Sequence, residues 1–259
     1  MKIATWNVNS INVRLPHVLD WLSENSVDVL CLQETKMVDE RFPKEEINKA
    51  GYQVEFAGQK TYNGVAVLTK NPVQSVVKQL PGMEEDPQKR FLALTVNDVR
   101  VVNVYVPNGA ALDSDKYPYK LNWLSALYAF LDQTVQSHQY TVVVGDFNIA
   151  PDDRDVYDPQ IWQGDRILVS PPERKAFTDF IALPMVDCFR KVEPEGGHFS
   201  WWDYRAAAFR RKRGLRIDHI LASVPLSDRL KDCRIDPEPR SWERPSDHTP
   251  VVATFGMTD

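Results

Sequence analysis

The residues best suited to chemistry stand at the end of an apolar run of strand type, residues 142–148 (VVVGDFN). Strand side chains alternate between two faces, so the spacing predicts that Asp146 and Asn148 point the same way. A carboxylate beside a carboxamide suits a hard cation, or a water that attacks a phosphate. The alternative is structural, because Asp and Asn after a strand commonly form turns.

Polar side chains recur at the ends of other apolar runs. They are Asn7 after the run 2–6, Glu34 after the run 27–33, Asp218 within the run 214–221, and Asp247 and His248 before the run 251–255. Each alone has a structural alternative: a turn residue, a charge at the start of a helix, or a half-buried pairing partner. Together, in a chain with only three cysteines, they indicate one oxygen-rich metal site with an acid–base pair.

Composition limits the class of protein. The chain has 259 residues, of which 43% are hydrophobic, and this is enough for a sizeable core. No apolar run approaches the ~18 residues that cross a bilayer, and the start lacks the apolar segment of a signal peptide. Cys31, Cys188 and Cys233 are isolated in the sequence, which favours a reducing cytoplasm over a disulfide framework or a cysteine-based zinc site.

A basic segment runs from Arg205 to Arg216 in a chain whose net charge is −5. It contains six Lys and Arg side chains and no acidic one, and it follows the aromatic-rich stretch 199–204. Cations bind phosphates and aromatic rings stack on sugars or unstacked bases, so the segment is typical of a nucleic-acid surface. A solvated loop that happens to be basic is the alternative.

Hydrophobic periodicity predicts alternating strands and helices. Strands are predicted at 2–7, 27–33, 52–57, 64–69, 73–79, 91–96, 99–106, 141–146, 217–222 and 250–255, and helices at 14–25, 43–50, 116–137 and 171–182. No linker, short repeat or change of composition interrupts the pattern, so residues 1–259 are predicted to form one domain. Two β-rich halves joined by helical segments indicate two packed sheets with helices outside, and the polar residues should gather at one end.

Short motifs along the chain resemble those of one family. They are residues 6–9 (WNVN), 32–36 (LQETK), 62–66 (YNGVA), 145–150 (GDFNIA), 214–218 (GLRID) and 246–248 (SDH). The resemblance is to the bacterial exonuclease III proteins, DNA-repair nucleases of the endonuclease/exonuclease/phosphatase superfamily, and it covers nearly the whole chain. It implies a four-layered α/β sandwich, in which two mixed β-sheets are flanked by helices in the DNase I-like arrangement.

The resemblance also implies an activity. Members cut duplex DNA 5′ to abasic (AP) sites, remove 3′-phosphates and other 3′-blocking groups, and degrade strands from the 3′ end, with Mg²⁺ or with Mn²⁺ in its place. We therefore expect a monomeric, cytoplasmic enzyme that acts on double-stranded DNA with abasic sites or 3′ ends. Two alternatives stay open. One is a relative with the same metal site and another phosphoester substrate, such as an inositol phosphate or unspecific nucleic acid. The other is a noncatalytic DNA-binding module.

The resemblance assigns roles to the strand-end residues. Metal ligation is implied for Glu34 above all, with Asn7, Asp146, Asn148, Asp247 and His248 around it. Asp146 should orient or deprotonate the attacking water, and Asn148 should donate to a phosphate oxygen. His248 should stabilise the transition state at the scissile phosphate, and Asp218 should orient its ring. Tyr105 matches an active-site tyrosine whose phenol would stabilise developing negative charge.

Contacts to DNA are implied for a second group of residues. The cationic ones are Arg90, Arg210, Arg211, Lys212 and Arg213. Trp201, Leu215 and Ile217 would line an apolar pocket for a flipped-out abasic sugar. Such a pocket can hold a deoxyribose without a base while it excludes a complete nucleotide.

Overall fold

Twelve strands form two six-stranded sheets in the computed structural model, which describes residues 1–257. The strands are β1 (Lys2–Asn7), β2 (Val29–Gln33), β3 (Gln53–Ala57), β4 (Val65–Thr69), β5 (Gln74–Val77), β6 (Phe91–Val96), β7 (Val99–Tyr105), β8 (Tyr140–Asp146), β9 (Met185–Asp187), β10 (Asp218–Ser223), β11 (Leu230–Ile235) and β12 (Val251–Phe255). The helices are α1 (Ile11–Asn25), α2 (Lys44–Lys49), α3 (Lys116–Ser137), α4 (Pro171–Ala182), α5 (Cys188–Val192) and α6 (Val224–Ser227).

Each sheet is built around one parallel pair of strands. The first sheet has the order β11-β12-β1-β2-β4-β3 and the second has the order β5-β6-β7-β8-β10-β9. Strands β1 and β2 are parallel and joined through helix α1, and β7 and β8 are parallel and joined through helix α3. Parallel strands end at the same edge of a sheet. Asn7 therefore lies beside Gln33, and Tyr105 lies beside Asp146.

Three apolar clusters hold the layers together. The inner faces of both sheets share one cluster, which includes Val67 from the first sheet and Val101 from the second. Helices α1 and α2 cover the outer face of the first sheet, with Trp21 in the contact, and α3 and α4 cover the second sheet, with Leu127 and Phe177 in the contact. The predicted four-layered α/β sandwich is confirmed. Among the described residues, no helix is both long and apolar enough to cross a bilayer.

A buried polar bridge joins the two sheets close to their functional ends. The Gln33 side-chain amide on β2 donates to Asn103 Oδ1 on β7 at 2.7 Å and to Thr5 Oγ1 at 2.8 Å. The Asn103 amide donates in turn to the carbonyls of Leu32 and Ala66. Buried amides pay a desolvation cost unless their partners are in place, so this network specifies one register and one spacing of the sheets.

Most predicted elements are present, and the differences lie in short or polar elements. Predicted helices 116–137 and 171–182 have the observed bounds, whereas α1 begins at Ile11, three residues before the predicted start. Strands β9 and β11 and helices α5 and α6 were not predicted. Strands β9 and β11 lie at sheet edges, and β11 exposes several of its side chains, so neither has the apolar signal of a central strand.

A buried charge cluster lies behind the ends of β8 and β10. Arg216 is 1% exposed and donates to Asp155 at 2.6 Å and to Asp187 at 2.8 Å. The inclusion of Arg216 in a basic surface segment is therefore wrong, because two carboxylates hold it inside the protein. His219 packs beside it, with Nδ1 at 3.1 Å from the guanidinium and Nε2 at 2.8 Å from the carbonyl oxygen of Ile149. Burial and the Arg216 charge lower the pKa of His219 to about 4.

This neutral histidine should make the fold sensitive to acid. The folded pKa lies below the ordinary value of 6.5, so the stabilisation is complete above pH 6.5 and is lost as the pH falls toward 4. His219→Gln should therefore lose less stability than the wild type between pH 7 and pH 5, by about 2 kcal/mol. Thermal unfolding at both pH values measures this.

His198→Gln is the matched control, because that side chain is exposed and stays in solvent in both states. It should leave the acid-induced fall in Tm unchanged. If His219→Gln and the wild type lose the same Tm between the two pH values, the buried ring does not set the acid sensitivity.

Candidate active site

The strand register gathers polar side chains from both sheets at one end of the sandwich. On the second sheet, Tyr105, Asp146 and Asp218 lie in one row, because Asp146 pairs with Tyr105 on one side and with Asp218 on the other. On the first sheet, Asn7 ends β1 and Glu34 follows β2. The expectation that the strand ends meet is thus realised in the geometry.

Asn7 connects the two sheets at this end. Its side-chain NH₂ donates to Glu34 Oε1 at 2.8 Å and to Asp146 Oδ2 at 2.9 Å. Its side-chain oxygen Oδ1 accepts from the backbone N–H of Asn9 at 3.0 Å. Asn7 is fully buried, so one amide fixes the separation of two carboxylates that would otherwise repel each other.

The backbone around Glu34 leaves the strand in a left-handed turn. Glu34 and Lys36 have φ angles of 51° and 52°, a conformation that costs L-residues energy and is commonly kept at functional sites. Gly64 supports the turn, because its carbonyl accepts from the N–H of Thr35 at 3.1 Å. A Cβ atom at Gly64 would lie 2.1 Å from Thr35 Oγ1, which explains the glycine in the 62–66 motif.

Asp146 and Asn148 form a turn. Strand β8 ends at Asp146, and Asn148 has a φ of 49°. The prediction that strand alternation aligns the two side chains is therefore wrong, because Asn148 lies beyond the strand. Its backbone N–H donates to Asp146 Oδ1 at 2.9 Å. The Asn148 side chain donates to the Val106 carbonyl and accepts from Asn108 Nδ2 at 2.9 Å.

His248 lies between two carboxylates. Its Nδ1 is 2.8 Å from Asp218 Oδ2, and its Nε2 is 3.6 Å from Asp146 Oδ2. Ser200 Oγ donates to the same Asp218 oxygen at 2.6 Å. Burial alone would lower the pKa of His248, but the charges of Asp218 and Asp146 raise it to about 10. The imidazole therefore carries a positive charge at neutral pH and can donate from Nε2.

Asp146 and Tyr105, which are paired across β8 and β7, both have raised pKa values. Burial raises the pKa of Asp146 to about 7, against the opposing charge of His248, so this carboxyl can exchange a proton near neutral pH. Burial, with the charges of Glu34 and Asp146, raises the pKa of Tyr105 well above its ordinary value. The Tyr105 phenol thus keeps its proton as a donor. The Arg90 guanidinium lies 4.6 Å from the centre of its ring.

Asp247 is held on the outer side of the network. Its Oδ1 accepts from Asn9 Nδ2 at 3.0 Å, and its Oδ2 accepts from Trp201 Nε1 at 3.0 Å. Burial would raise the pKa of Asp247, but the charge of His248 and these donors lower it overall. Asn9 also accepts from Lys36 Nζ, which lies 2.9 Å from Glu34 Oε2. The network is thus continuous from Glu34 to Asp247.

The donor set fits a hard divalent cation. One ligand atom from each of Glu34, Asp146 and His248 lies within 4.8 Å of the other two. Glu34 and Asp146 offer carboxylate oxygens, and the Glu34 side chain is 18% exposed and so open to an entering ion. The network contains four carboxylates (Glu34, Asp146, Asp218 and Asp247) and two cationic groups (Lys36 and His248), so it has an excess of negative charge.

The residues expected at DNA lie in different environments. Leu215 and Ile217 are buried in an apolar cluster, and Trp201 packs against it while partly exposed. The side chains of residues 210–213 are exposed. A groove of about 460 Å³ lies beside the site, lined in part by Arg90. It also includes Tyr62, Asn63, Asn108 and Lys116.

Asn9, Asn108 and Ser200 were not predicted as residues of the network, and neither was Lys36. Asn9 follows Asn7 at the same spacing as Asn148 follows Asp146, and that repeat is a signal the sequence contains. Asn108 follows an apolar strand and precedes a glycine, which is the same kind of strand-end position. Ser200 has no comparable signal, because its partner Asp218 is brought to it only by tertiary packing.

Comparisons with known proteins agree with this fold. The endonuclease/exonuclease/phosphatase family matches residues 4–248. The exodeoxyribonuclease III of Haemophilus influenzae is 35% identical over 267 residues, covering 98% of this chain and 100% of the relative. A 3′ phosphatase from Neisseria, solved with a product DNA hairpin, has a TM-score of 0.98 at 49% identity, covering 99% of this chain and 100% of that one. An AP endonuclease from Archaeoglobus fulgidus has a TM-score of 0.95 at 40% identity, with the same coverage.

Glu34→Gln should weaken divalent cation binding at least about tenfold, because it removes one full negative charge from the ligand set. Titration calorimetry with Mn²⁺ measures this. The fold should be unaffected, since the side chain reaches solvent. Glu55→Gln, a partly exposed carboxylate on β3 paired with Lys78, is the matched control and should bind Mn²⁺ like the wild type. Wild-type affinity in Glu34→Gln would place the cation elsewhere.

Proposed function

Because the chain belongs to the endonuclease/exonuclease/phosphatase family, we propose that it is a DNA-repair hydrolase that cuts duplex DNA 5′ to abasic sites. The proposal extends to 3′–5′ exonuclease and 3′-phosphatase or 3′-phosphodiesterase activity. Its structural relatives include an AP endonuclease and a 3′ phosphatase, which supports both parts. All these reactions hydrolyse one phosphoester bond by attack of water on phosphorus, so one set of residues can serve them.

The observation that carries the proposal is the close grouping of Glu34, Asp146 and His248 at the junction of two sheets. Phosphoester hydrolysis needs a group that accepts a proton from water and positive charge near the phosphate oxygens. The Asp146 carboxylate can accept the proton, and burial favours this by raising its pKa above the ordinary value. His248, with a pKa of about 10, supplies a fixed positive charge beside it.

The surrounding donors would stabilise charge on the phosphate. The Tyr105 phenol and the amides of Asn108 and Asn148 can donate to phosphate oxygens, and Asp218 keeps the His248 ring oriented. We propose Mg²⁺, or Mn²⁺ in its place, as the cation. It would be held by Glu34 and Asp146 and would stabilise negative charge on the phosphate as a Lewis acid. Ligation by Asn7, Asn148, Asp247 and His248 stays a prediction.

The DNA would lie across the end of the sandwich. We propose that the groove lined by Arg90 and the exposed basic side chains of residues 210–213 contact the phosphate backbone. We propose that Trp201 faces the abasic sugar, and that Leu215 and Ile217 form the apolar floor behind it.

We also propose that residues 1–259 form one domain that acts as a monomer in the cytoplasm. One apolar cluster joins the inner faces of both sheets, which supports a single folding unit. The grouped residues all come from one chain, so the site needs no second copy. Within residues 1–257, Cys31, Cys188 and Cys233 are buried free thiols, which is typical of a reducing compartment.

The purified protein should cut a duplex 5′ to an abasic site, release a 3′-phosphate, and shorten a recessed 3′ end, each with Mg²⁺. Gel analysis of labelled duplexes measures all three. EDTA should stop the reactions and added Mn²⁺ should restore them. Asp146→Asn keeps the size of the side chain but loses its basicity, so it should reduce the rate about 10²-fold or more while DNA binding is kept. An intact rate in Asp146→Asn, or no cleavage by the wild type, would contradict the proposal.

Replacing Arg211 and Arg213 with Ala should weaken DNA binding about equally for all sequences. It should also flatten the dependence of log K on log salt by roughly one unit per lost phosphate contact. Binding of the Asp146→Asn protein with and without this double substitution, at several salt concentrations, measures the slope. Replacing Lys231 and Arg234 on the edge strand β11 with Ala is the matched control. It should leave both the DNA affinity and the salt slope unchanged. An unchanged slope for the Arg pair would identify 210–213 as a solvated loop away from substrate.

A further inference from the structure

A lysine and a glutamate form an ion pair in the interior, away from the carboxylate centre. Lys120 on α3 and Glu173 on α4 are both 0% exposed, and Lys120 Nζ donates to Glu173 Oε1. Burial lowers the pKa of Lys120, and the charge of Glu173 opposes that shift. A buried pair of this kind is often no more stabilising than two apolar side chains of equal volume. Stability alone therefore does not explain it.

The other two donors of the Lys120 ammonium reach the turns that carry the active-site amides. Nζ donates to the carbonyl of Asn148 at 2.7 Å and to the carbonyl of Asn108 at 3.2 Å. The two side chains are joined to each other, since Asn108 Nδ2 donates to Asn148 Oδ1. Gly109, at a φ of 90°, lets the loop lie on the lysine stem, because a Cβ there would lie 3.2 Å from Lys120 Cδ. Lys120 thus fixes both turns from behind.

Glu173 extends the same contact to the apolar cluster behind Trp201. Its Oε1 accepts from the N–H of Leu168 at 3.0 Å, and its Oε2 accepts from the N–H and hydroxyl of Ser170 at 3.0 Å and 2.6 Å. Leu168 belongs to the cluster that contains Leu215 and Ile217. One ion pair therefore connects the phosphate-side amides to the segment that backs the proposed sugar pocket.

We propose that Lys120 is a positioning residue for hydrolysis: with Glu173 it holds Asn108 and Asn148 in the orientation in which their amides meet the scissile phosphate. This inference rests on the proposed function. Lys120 does not touch the substrate. It acts through the carbonyl of Asn148, whose left-handed backbone would otherwise be free to relax, and through the carbonyl of Asn108.

The test uses the double variant Lys120→Met/Glu173→Gln, because Lys120→Met alone would leave a buried unpaired carboxylate, which destabilises the folded state. Met fills the space of the lysine stem, and Gln keeps one acceptor oxygen for either the Leu168 or the Ser170 N–H. We expect kcat to fall about 10- to 100-fold, with KM little changed, since a small displacement of a positioned group has effects of that size. Single-turnover cleavage of the abasic duplex measures this at a temperature well below Tm.

Two comparisons separate positioning from a structural role. Leu131→Ala, which creates a cavity in the core beside the same helix α3, is the matched control. It should lower Tm and leave kcat unchanged. In an Asn108→Ala/Asn148→Ala background, the Lys120/Glu173 double variant should cause no further loss of kcat, because its effect passes through those two side chains. A wild-type kcat in the Lys120/Glu173 variant, or full multiplication of its effect with the Asn108→Ala/Asn148→Ala pair, would overturn the inference. A wild type that cuts none of the DNA substrates would instead refute the proposed function.

Discussion

The rest of the structure depends on one constraint: acidic side chains from two sheets are buried close to one another. Carboxylates this close repel each other, and each resists removal from water. The protein compensates with one amide and two cations: Asn7 donates to both Glu34 and Asp146, Lys36 pairs with Glu34, and protonated His248 lies beside Asp146. An excess of negative charge still remains, and it is this excess that makes the site suitable for a divalent cation.

The scaffold converts that constraint into a fixed geometry. In each sheet, the two strands of the parallel pair end at the same edge. The buried bridge from Gln33 to Asn103 sets the distance between the sheets directly beneath Glu34 and Tyr105. Behind the site, buried ion pairs anchor the strand ends and loops. Pairs of this kind give specificity of position more than stability, and Lys120 is the example closest to the chemistry.

Much of this could be predicted from the sequence, and the limits are physical. Strand ends in parallel pairs meet by topology, so polar residues at the end of one sheet, such as Asn7 and Glu34, could be grouped without coordinates. The conformation of Asn148 could not be predicted, because a left-handed turn points its side chain in a different direction from the one that strand alternation implies. The burial of Arg216 was also hidden, since a basic run does not reveal which member finds carboxylates inside the fold. Ser200 and Lys120 act through partners that only tertiary packing brings close.

Crystals grown with Mn²⁺ and measured at the manganese absorption edge test the central claim most directly, because the anomalous signal locates the ion without assumptions about its ligands. We predict a peak about 2.1 Å from a carboxylate oxygen of Glu34, on the side that faces Asp146. A peak bound to Asp247 instead, with Glu34 still paired to Lys36, would contradict the assignment of the cation site. So would the absence of any peak among these carboxylates at saturating Mn²⁺.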